Sequence, residues 1–346
     1  MLSKKIVIDN LIKNIDKFNN NKILVLGDFM VDQYFFGKAE RISSEAPVPI
    51  VDIERVENRF GGALNTINNI ISLGGKVIPV GVVGNDNMGK WILDECNNKN
   101  IDISGIFIDD KRQTTTKTRI IVGINQVIRY DNESKEKIDK IINNKIINFC
   151  KKEIFNVDYI LISDYDKGVL NAYLIKKLIK MAKSYEKNLI VDPKIDNQLY
   201  YKNINIIKTN ERNLRITMKL NDNEKYELNT LGLKLFKLLN NNILIITQGK
   251  EGMTIFRKND SYYDLIKISA FPRDVYDVTG AGDTVMAVLA LALSSGLNIE
   301  EAAFLSNAAA AVKVSKIGTQ TISISELKRI LTLVDPNILW GKINAK

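Results

Sequence analysis

Residues 277–293 read DVTGAGDTVMAVLALAL, a short polar run with two glycines and an acid that feeds straight into an almost uniformly apolar segment. The apolar half has the length and composition of a buried helix, so the polar half must turn the chain tightly into that helix. Gly280 and Gly282 suit such a turn because glycine reaches backbone conformations other residues resist and leaves its amides uncovered. Uncovered amides at a helix start point one way and carry the positive end of the helix dipole, which makes the loop an anion cradle. Asp283 then falls in the first helical turn. An acid there is ordinarily favourable to the dipole and nothing more. Beside an anion cradle it is also placed to accept the proton of a hydroxyl that attacks a bound phosphoryl group.

A buried helix of this kind needs a sheet to lie on, and the rest of the chain supplies one. KILVLGD (22–28), KVIPVGVVG (76–84), VDYILISD (157–164), NLIVDP (188–193), INIIKTN (204–210) and NILIITQG (242–249) are short, β-rich and apolar throughout, as buried parallel strands are. Helical patterns separate them at 63–72, 88–97, 134–151, 174–185 and 224–239. Alternation of this sort predicts an α/β fold with a doubly wound, mainly parallel sheet flanked by helices, and ligands at the carboxyl ends of the strands. Residues 34–56 and 114–131 alternate without a helical period, which predicts a small antiparallel β lid built from two insertions. No repeat or linker breaks the 346 residues, so a single domain over 1–346 is expected.

Composition narrows the chemistry. With 45% hydrophobic and 26% charged residues the chain is expected to fold as a soluble protein. Its best membrane candidate, Thr284–Leu293, is too short to span, and the N-terminus alternates charge with Ile and Leu unlike a signal peptide, so a cytoplasmic location is expected. Histidine is absent, which excludes Ser-His-Asp and Cys-His catalysis and His-ligated metals. Two cysteines, Cys96 and Cys150, build neither a disulfide framework nor a cysteine zinc site. The net charge is 49 − 40 = +9, but the lysines are dispersed among Asn and Ile with no basic block, so neither nucleic acid nor membrane is expected as a partner. GNDNMGK (84–90) has the spacing of a phosphate-binding P-loop, yet Trp91 stands where Ser or Thr must bind magnesium, and it is read as a coincidence.

Three strings then appear in a fixed order: FGGALNTINNIISLGG (60–75), TQGKEG (247–252) and DVTGAGD (277–283). Together they resemble the Gly-Gly-x-x-Asn signature, the nucleotide loop and the C-terminal signature of the ribokinase-like, phosphofructokinase-B type carbohydrate kinases. The resemblance runs from about residue 23 to 331. Within that family GDFMVDQYFFG (27–37), RISSEAPVPIV (41–51), QVIRYD (126–131), SDYDKGVL (163–170), VDPK (191–194), RDVYDVTGAGDT (273–284) and SNAAAAVKVSKIGT (306–319) are most similar to the branch that phosphorylates D-glycero-β-D-manno-heptose 7-phosphate.

The resemblance implies a ribokinase-like fold and an ATP-dependent phosphotransferase that uses Mg2+ and acts on the anomeric hydroxyl of that sugar phosphate. Other implied readings are a kinase for ribose, a fructose phosphate or a ketodeoxy sugar, or a nucleotide- or sugar-binding protein with impaired turnover. The branch is often fused to a cytidylyltransferase domain whose site needs histidines, so only the kinase step is expected here. Asp283 is the implied base, with Gly280, Ala281 and Gly282 supplying amides to the transferred group. Asp28, Asp32, Gly61, Gly62 and Asn65 are implied sugar contacts, joined by Asp164, Lys167, Lys194 and the lid cations Arg119 and Arg129, which suit the substrate's own phosphate. Asn210, Thr247, Gly249, Gly252, Asn307 and Ala311 are the implied nucleotide contacts. The family's Asn-x-x-Glu reads TNERN at 209–213, with Asn213 where the metal-placing Glu belongs and Glu211 as the candidate substitute. The lid's Tyr34, Phe35, Phe36, Val48 and Ile50 are expected to need covering, which predicts a homodimer through the lid. The tail 334–346, with Trp340, carries no assignable role.

Overall fold

The computed structural model describes residues 2–221, 224–259, 263–271, 274–333 and 341–345, with the backbone only for 2–5 and 341–345. Arg273 of the RDVYDVTGAGDT string and residues 334–340 of the tail, Trp340 included, lie outside the described residues.

The apolar runs become the strands of a ten-stranded sheet. In spatial order these are β14 (Gly341–Ala345), β13 (Tyr263–Ile268), β12 (Met253–Lys258), β11 (Ile243–Thr247), β10 (Ile206–Asn210), β9 (Asn188–Asp192), β8 (Tyr159–Ser163), β1 (Lys22–Gly27), β4 (Lys76–Gly84) and β5 (Ile106–Asp109). From β11 to β5 neighbouring strands run parallel. From β11 to β14 they run antiparallel, an extension that periodicity did not reveal. The strands have no polar face because both faces are covered: Ile23 and Val25 of β1 pack into one core layer, Leu24 and Leu26 into the other.

One layer holds α1 (Leu2–Ile15), α2 (Ala63–Ser72), α3 (Asn87–Asn98), α9 (Ala281–Ser294), α10 (Ile299–Lys313) and α11 (Ile324–Thr332). The other holds α4 (Lys140–Glu153), α5 (Ala172–Ser184), α7 (Glu211–Thr217) and α8 (Leu228–Leu239), with the single turn α6 (Ile195–Gln198) at its edge. Two helices start later than their periodicity suggests. α4 begins at Lys140 because the Asp139 side chain accepts the amide of Ile142 and caps it there, and α8 begins at Leu228 rather than Glu224. The P-loop-like GNDNMGK is a capped turn. Asp86 accepts the amides of Gly89 and Thr114, each at 2.7 Å, and so ties the start of α3 to the chain entering the later strand Thr115–Val122.

A separate four-stranded sheet, ordered β3 (Pro49–Gly62), β2 (Phe29–Ile42), β6 (Thr115–Val122) and β7 (Asn125–Asn132), stands on the carboxyl ends of the central strands. It grows directly out of the core. Only Asp28 separates β1 from β2, and β3 runs without a loop into α2. Its register places Glu57, Tyr34, Arg119 and Arg129 in one cross-strand row and Val56, Phe35, Ile120 and Ile128 in the next, so alternation gives the lid a charged face and an apolar face. Tyr34 departs from expectation. It is 3% exposed because it lies beneath the guanidinium groups of Arg59 and Arg119, 4.6 and 5.2 Å from its ring, and so it is not part of the lid's uncovered apolar surface.

Candidate active site

Two helix N-termini meet where the sheet's parallel strands end. Gly280 caps α9 in the left-handed region (φ +78°), and a Cβ there would sit 2.7 Å from the Asn65 side-chain amide. Gly62 caps α2 at φ +56°, where a Cβ would strike the Asp28 carbonyl. Glycine at both positions lets α2 and α9 approach until Asn65 reaches Asp283. The Asn65 amide donates to Asp283 Oδ2 at 2.7 Å, the Tyr165 hydroxyl donates to Oδ1 at 2.5 Å, and Thr66 Oγ1 lies 3.4 Å from the same oxygen. Below Gly282 the ammonium of Lys208 pairs with Asp192 at 2.6 Å and would meet a Cβ on Gly282 at 3.2 Å.

Asp283 is 4% exposed. Burial pushes its carboxyl up to about 6, against the pull of the Tyr165 and Asn65 hydrogen bonds and with a further push from Asp192. A carboxylate of that basicity is ionised at neutral pH and strong enough to take a proton from an attacking hydroxyl.

On the far side of Ala281 and Gly282 opens a cavity of about 620 Å3. Phe271, Val275, Val278, Val285 and Val314 make most of its wall apolar, Ala310 and Ala311 of α10 leave width for a flat ring, and Thr247, Gly249, Lys250 and Gly252 form a polar rim. Size and lining suit a nucleotide whose phosphates reach the glycine loop. Gly252 (φ +92°) has no room for a side chain, since a Cβ would be 2.0 Å from the Ile268 carbonyl, whereas a Cβ on Gly249 (φ +56°) meets nothing within 4 Å. Asn210 pairs in register with Thr247 beside this rim.

Several sequence-derived assignments change on inspection. Asp28 is not free to hold a sugar: its carboxylate is 1% exposed and accepts the backbone amides of Tyr165, Lys167 and Val169 at 2.8, 3.3 and 3.3 Å, anchoring the loop after β8. Asp164 is likewise interior. It accepts from the Tyr201 hydroxyl, the Asn197 amide and the Asp166 backbone, and burial together with Asp28 raises it to about 7. Asn65 spends its amide on Asp283. Asn307 lines the nucleotide cavity but gives its amide to the Ser269 carbonyl at 2.7 Å. The Asn210 side chain accepts the Asn213 amide and caps α7. Glu211, the candidate metal contact, turns instead to the Tyr226 hydroxyl, its hydrogen-bond donor.

On the lid, Asp32 pairs with Arg119 at 2.6 Å, both buried, and a Cβ on Gly61 would run into the Asp32 carboxylate. Arg129 pairs with Asp131 and Lys167 with Glu133. Lys194 lies 4.6 Å over the Tyr165 ring and makes no ion pair among the described residues. Lys194 thus stands next to the tyrosine that donates to Asp283, and the buried Asp32–Arg119 pair of the lid stands against Gly61, beside the Gly62 cap of α2.

Tyr165, Asp192 and Lys208 were missed. Lys208 left a signal, a cation inside the apolar run INIIKTN two residues before its carboxyl end. Tyr165 left only its place inside SDYDKGVL.

The profile of the pfkB family carbohydrate kinases matches residues 20–326. The chain is 40% identical over 317 residues to the bifunctional protein HldE of Helicobacter hepaticus, covering 92% of this chain and 65% of that protein. It is 38% identical over 304 residues to the bifunctional protein HldE of Geobacter metallireducens, covering 88% of this chain and 61% of that one. The chain thus spans under two thirds of the length of these relatives. Among solved structures it is similar to phosphofructokinase-2 from Escherichia coli in complex with potassium, with a TM-score of 0.73 at 15% identity over 90% of this chain and 98% of that one. It is also similar to the ribokinase of Arabidopsis thaliana complexed with ribose and ATP, with a TM-score of 0.69 at 18% identity over 90% and 98%. With the ribokinase-like architecture, the glycine loop and the buried carboxylate in place, the chain belongs to the pfkB family of carbohydrate kinases.

Proposed function

We propose that this chain transfers the γ-phosphoryl group of ATP to the anomeric hydroxyl of D-glycero-β-D-manno-heptose 7-phosphate, giving the 1,7-bisphosphate and ADP. The observation that carries the kinase chemistry is the position of Asp283, a buried carboxylate of raised basicity, between the acceptor approach and the glycine loop that ends the nucleotide cavity. The heptose assignment rests on the strings that resemble that branch, RISSEAPVPIV foremost, and on the identity with the HldE proteins.

In this reading the acceptor hydroxyl gives its proton to Asp283 as its oxygen bonds to the γ-phosphorus. The bond from that phosphorus to the bridging oxygen breaks, and ADP leaves with the electron pair. The amides of Gly280 and Gly282 and the ammonium of Lys208 offset the charge on the moving group, whereas the Ala281 amide implied by the resemblance donates instead to the Val278 carbonyl at 3.1 Å. Preorganised amide donors of this kind are worth about 3–4 kcal/mol each in other enzymes. Lys194, Arg119 and Arg129 provide the positive end for the sugar's own phosphate, and Asp32, held by Arg119, faces its hydroxyls. Thr247, Gly249, Gly252, Asn307 and Ala311 contact the nucleotide.

Magnesium finds no cage here. Among the described residues no group of three or more acidic or other ligating side chains gathers, Asn213 is neutral and Glu211 is engaged by Tyr226. The residues are compatible with an ion that arrives on the nucleotide phosphates and keeps most of its waters. The 346 residues are read as one kinase domain, and the lid's apolar row as the face on which two copies pack.

A coupled ADP-release assay with ATP and magnesium tests the proposal, with the heptose phosphate offered beside ribose, fructose 6-phosphate, fructose 1-phosphate and adenosine. Turnover confined to the heptose phosphate is expected. Faster turnover of another sugar overturns the substrate assignment but leaves the kinase chemistry, and no turnover with any of them favours a binding protein.

A further inference from the structure

Both oxygens of Asp283 are already engaged before any acceptor arrives. Asn65 holds Oδ2, and the hydroxyl of Tyr165 sits 2.5 Å from Oδ1. The tyrosine is fixed on three sides. Its backbone amide donates to Asp28 at 2.8 Å, Lys194 covers its ring, and Asp28 also accepts from Lys167 and Val169, which holds the whole loop after β8 in place. Burial, and after it the charge of Asp283, keeps the phenol well above its ordinary value, so it stays a protonated donor wherever Asp283 is ionised.

A donor fixed at this distance from a carboxylate favours the ionised form. It faces opposition: burial and the charge of Asp192 from β9 push Asp283 toward protonation. Lys208 from β10 helps ionisation, as do Asn65 and, at longer range, Thr66 from α2. On the remaining element, α10, the ammonium of Lys313 is coupled to Asp283 by charge. A carboxylate oxygen accepts two hydrogen bonds, so Oδ1 can hold Tyr165 and receive the acceptor hydroxyl at once.

Resting on the reading of Asp283 as the base, we propose that Tyr165 is its positioning residue. Its hydroxyl holds Oδ1 in the rotamer that faces the acceptor and keeps the carboxylate ionised in a site that would otherwise protonate it. Tyr165 touches the base rather than the transferred group.

The test needs no substrate. In protein labelled with 13C at the aspartate carboxyls, the Asp283 resonance is the one lost in Asp283→Asn, and its midpoint is followed against pH. Tyr165→Phe keeps the ring under Lys194 and removes only the donor. The midpoint is expected to rise by about one unit or more, the size expected for a hydrogen bond to a charged group. 3-Fluorotyrosine at position 165, a stronger donor, is expected to lower it. In the kinase assay the acid limb of kcat/KM moves with the midpoint while ATP affinity stays unchanged. An unmoved midpoint in Tyr165→Phe, or shifts of the same sign in both variants, overturns the proposal. Retained turnover in Asp283→Asn instead overturns the base assignment itself, so the two failures are distinguishable.

Discussion

Asp283, in the proposed role of base, shows what a reactive residue would cost its host. Its folded-state carboxyl is raised to about 6 by burial, so the ionised form is the disfavoured one in the fold. The cost is absent below about pH 4, where the group is protonated folded or unfolded, grows as pH rises to about 6, and is constant above that. Asp283→Asn is therefore expected to cut turnover roughly 100- to 10,000-fold while raising stability at pH 8 by on the order of 1–3 kcal/mol. Thermal unfolding at pH 8 and pH 4 checks this, since the advantage over wild type should close at the lower pH. The activity of the wild type should fall as pH drops through about 6, where the base protonates. At this scale the sequence was legible where a rare string forced one geometry, as DVTGAGD did. It was misleading where a carboxylate follows a strand. Asp28, Asp32 and Asp164 look alike in the sequence, yet only the folded loop after β8 decides that Asp28 and Asp164 satisfy buried donors while Asp32 takes a cation from the lid.

Among the elements, the glycine turns separate two causes of intolerance. Gly252→Ala meets both a positive φ and a carbonyl oxygen at 2.0 Å, so the β11–β12 turn must move, and loss of ATP affinity with a clear fall in melting temperature is expected. Gly249→Ala has open space, so only the left-handed backbone is charged to it, about 1–2 kcal/mol. Calorimetric ATP titration and thermal unfolding of the two variants check the ranking. α7 offers a gain of function. Asn213 occupies the third position of that helix with its backbone amide already on Asn210, so Asn213→Glu keeps the cap and adds a reciprocal acceptor. It also returns a carboxylate to the nucleotide end of the site, and the expected outcome is unchanged or higher stability with a several-fold lower magnesium requirement for turnover. Helices and strands with a strong period were readable to within a few residues. The antiparallel extension β12–β14 and the α1 helix were not, because short mixed segments satisfy either period and only the neighbours they pack on choose between them.

For the whole molecule, the lid's two faces carry the prediction. Val56 and Ile128 are 48% and 52% exposed at the ends of the apolar row that runs through Phe35 and Ile120. We expect a row of this kind to be covered by a partner, and a second lid is the self-complementary one. Light scattering is expected to give a dimer for the wild type and a monomer for Ile128→Glu, and a monomeric wild type would refute the lid-to-lid arrangement. The doubly wound sheet was readable from its run of buried strands and the lid from its alternation, but the lid is not wholly antiparallel as expected: its central strands β2 and β6 run parallel, because they come from two separate insertions rather than one hairpin. The sorting of the lid into a charged and an apolar face was not, because it depends on which residues of distant strands stand opposite one another.

The chain passes from the core into the lid and back with no slack. One residue, Asp28, joins β1 to β2, and β3 runs through Gly61 and Gly62 directly into the helix that presents Asn65 to the base. A lid attached this way is a lever whose short arm ends on Asp283. Any displacement of β3 would act through Gly62 on the helix that carries Asn65, so the lid and the hydrogen bond to Asp283 share one continuous stretch of backbone.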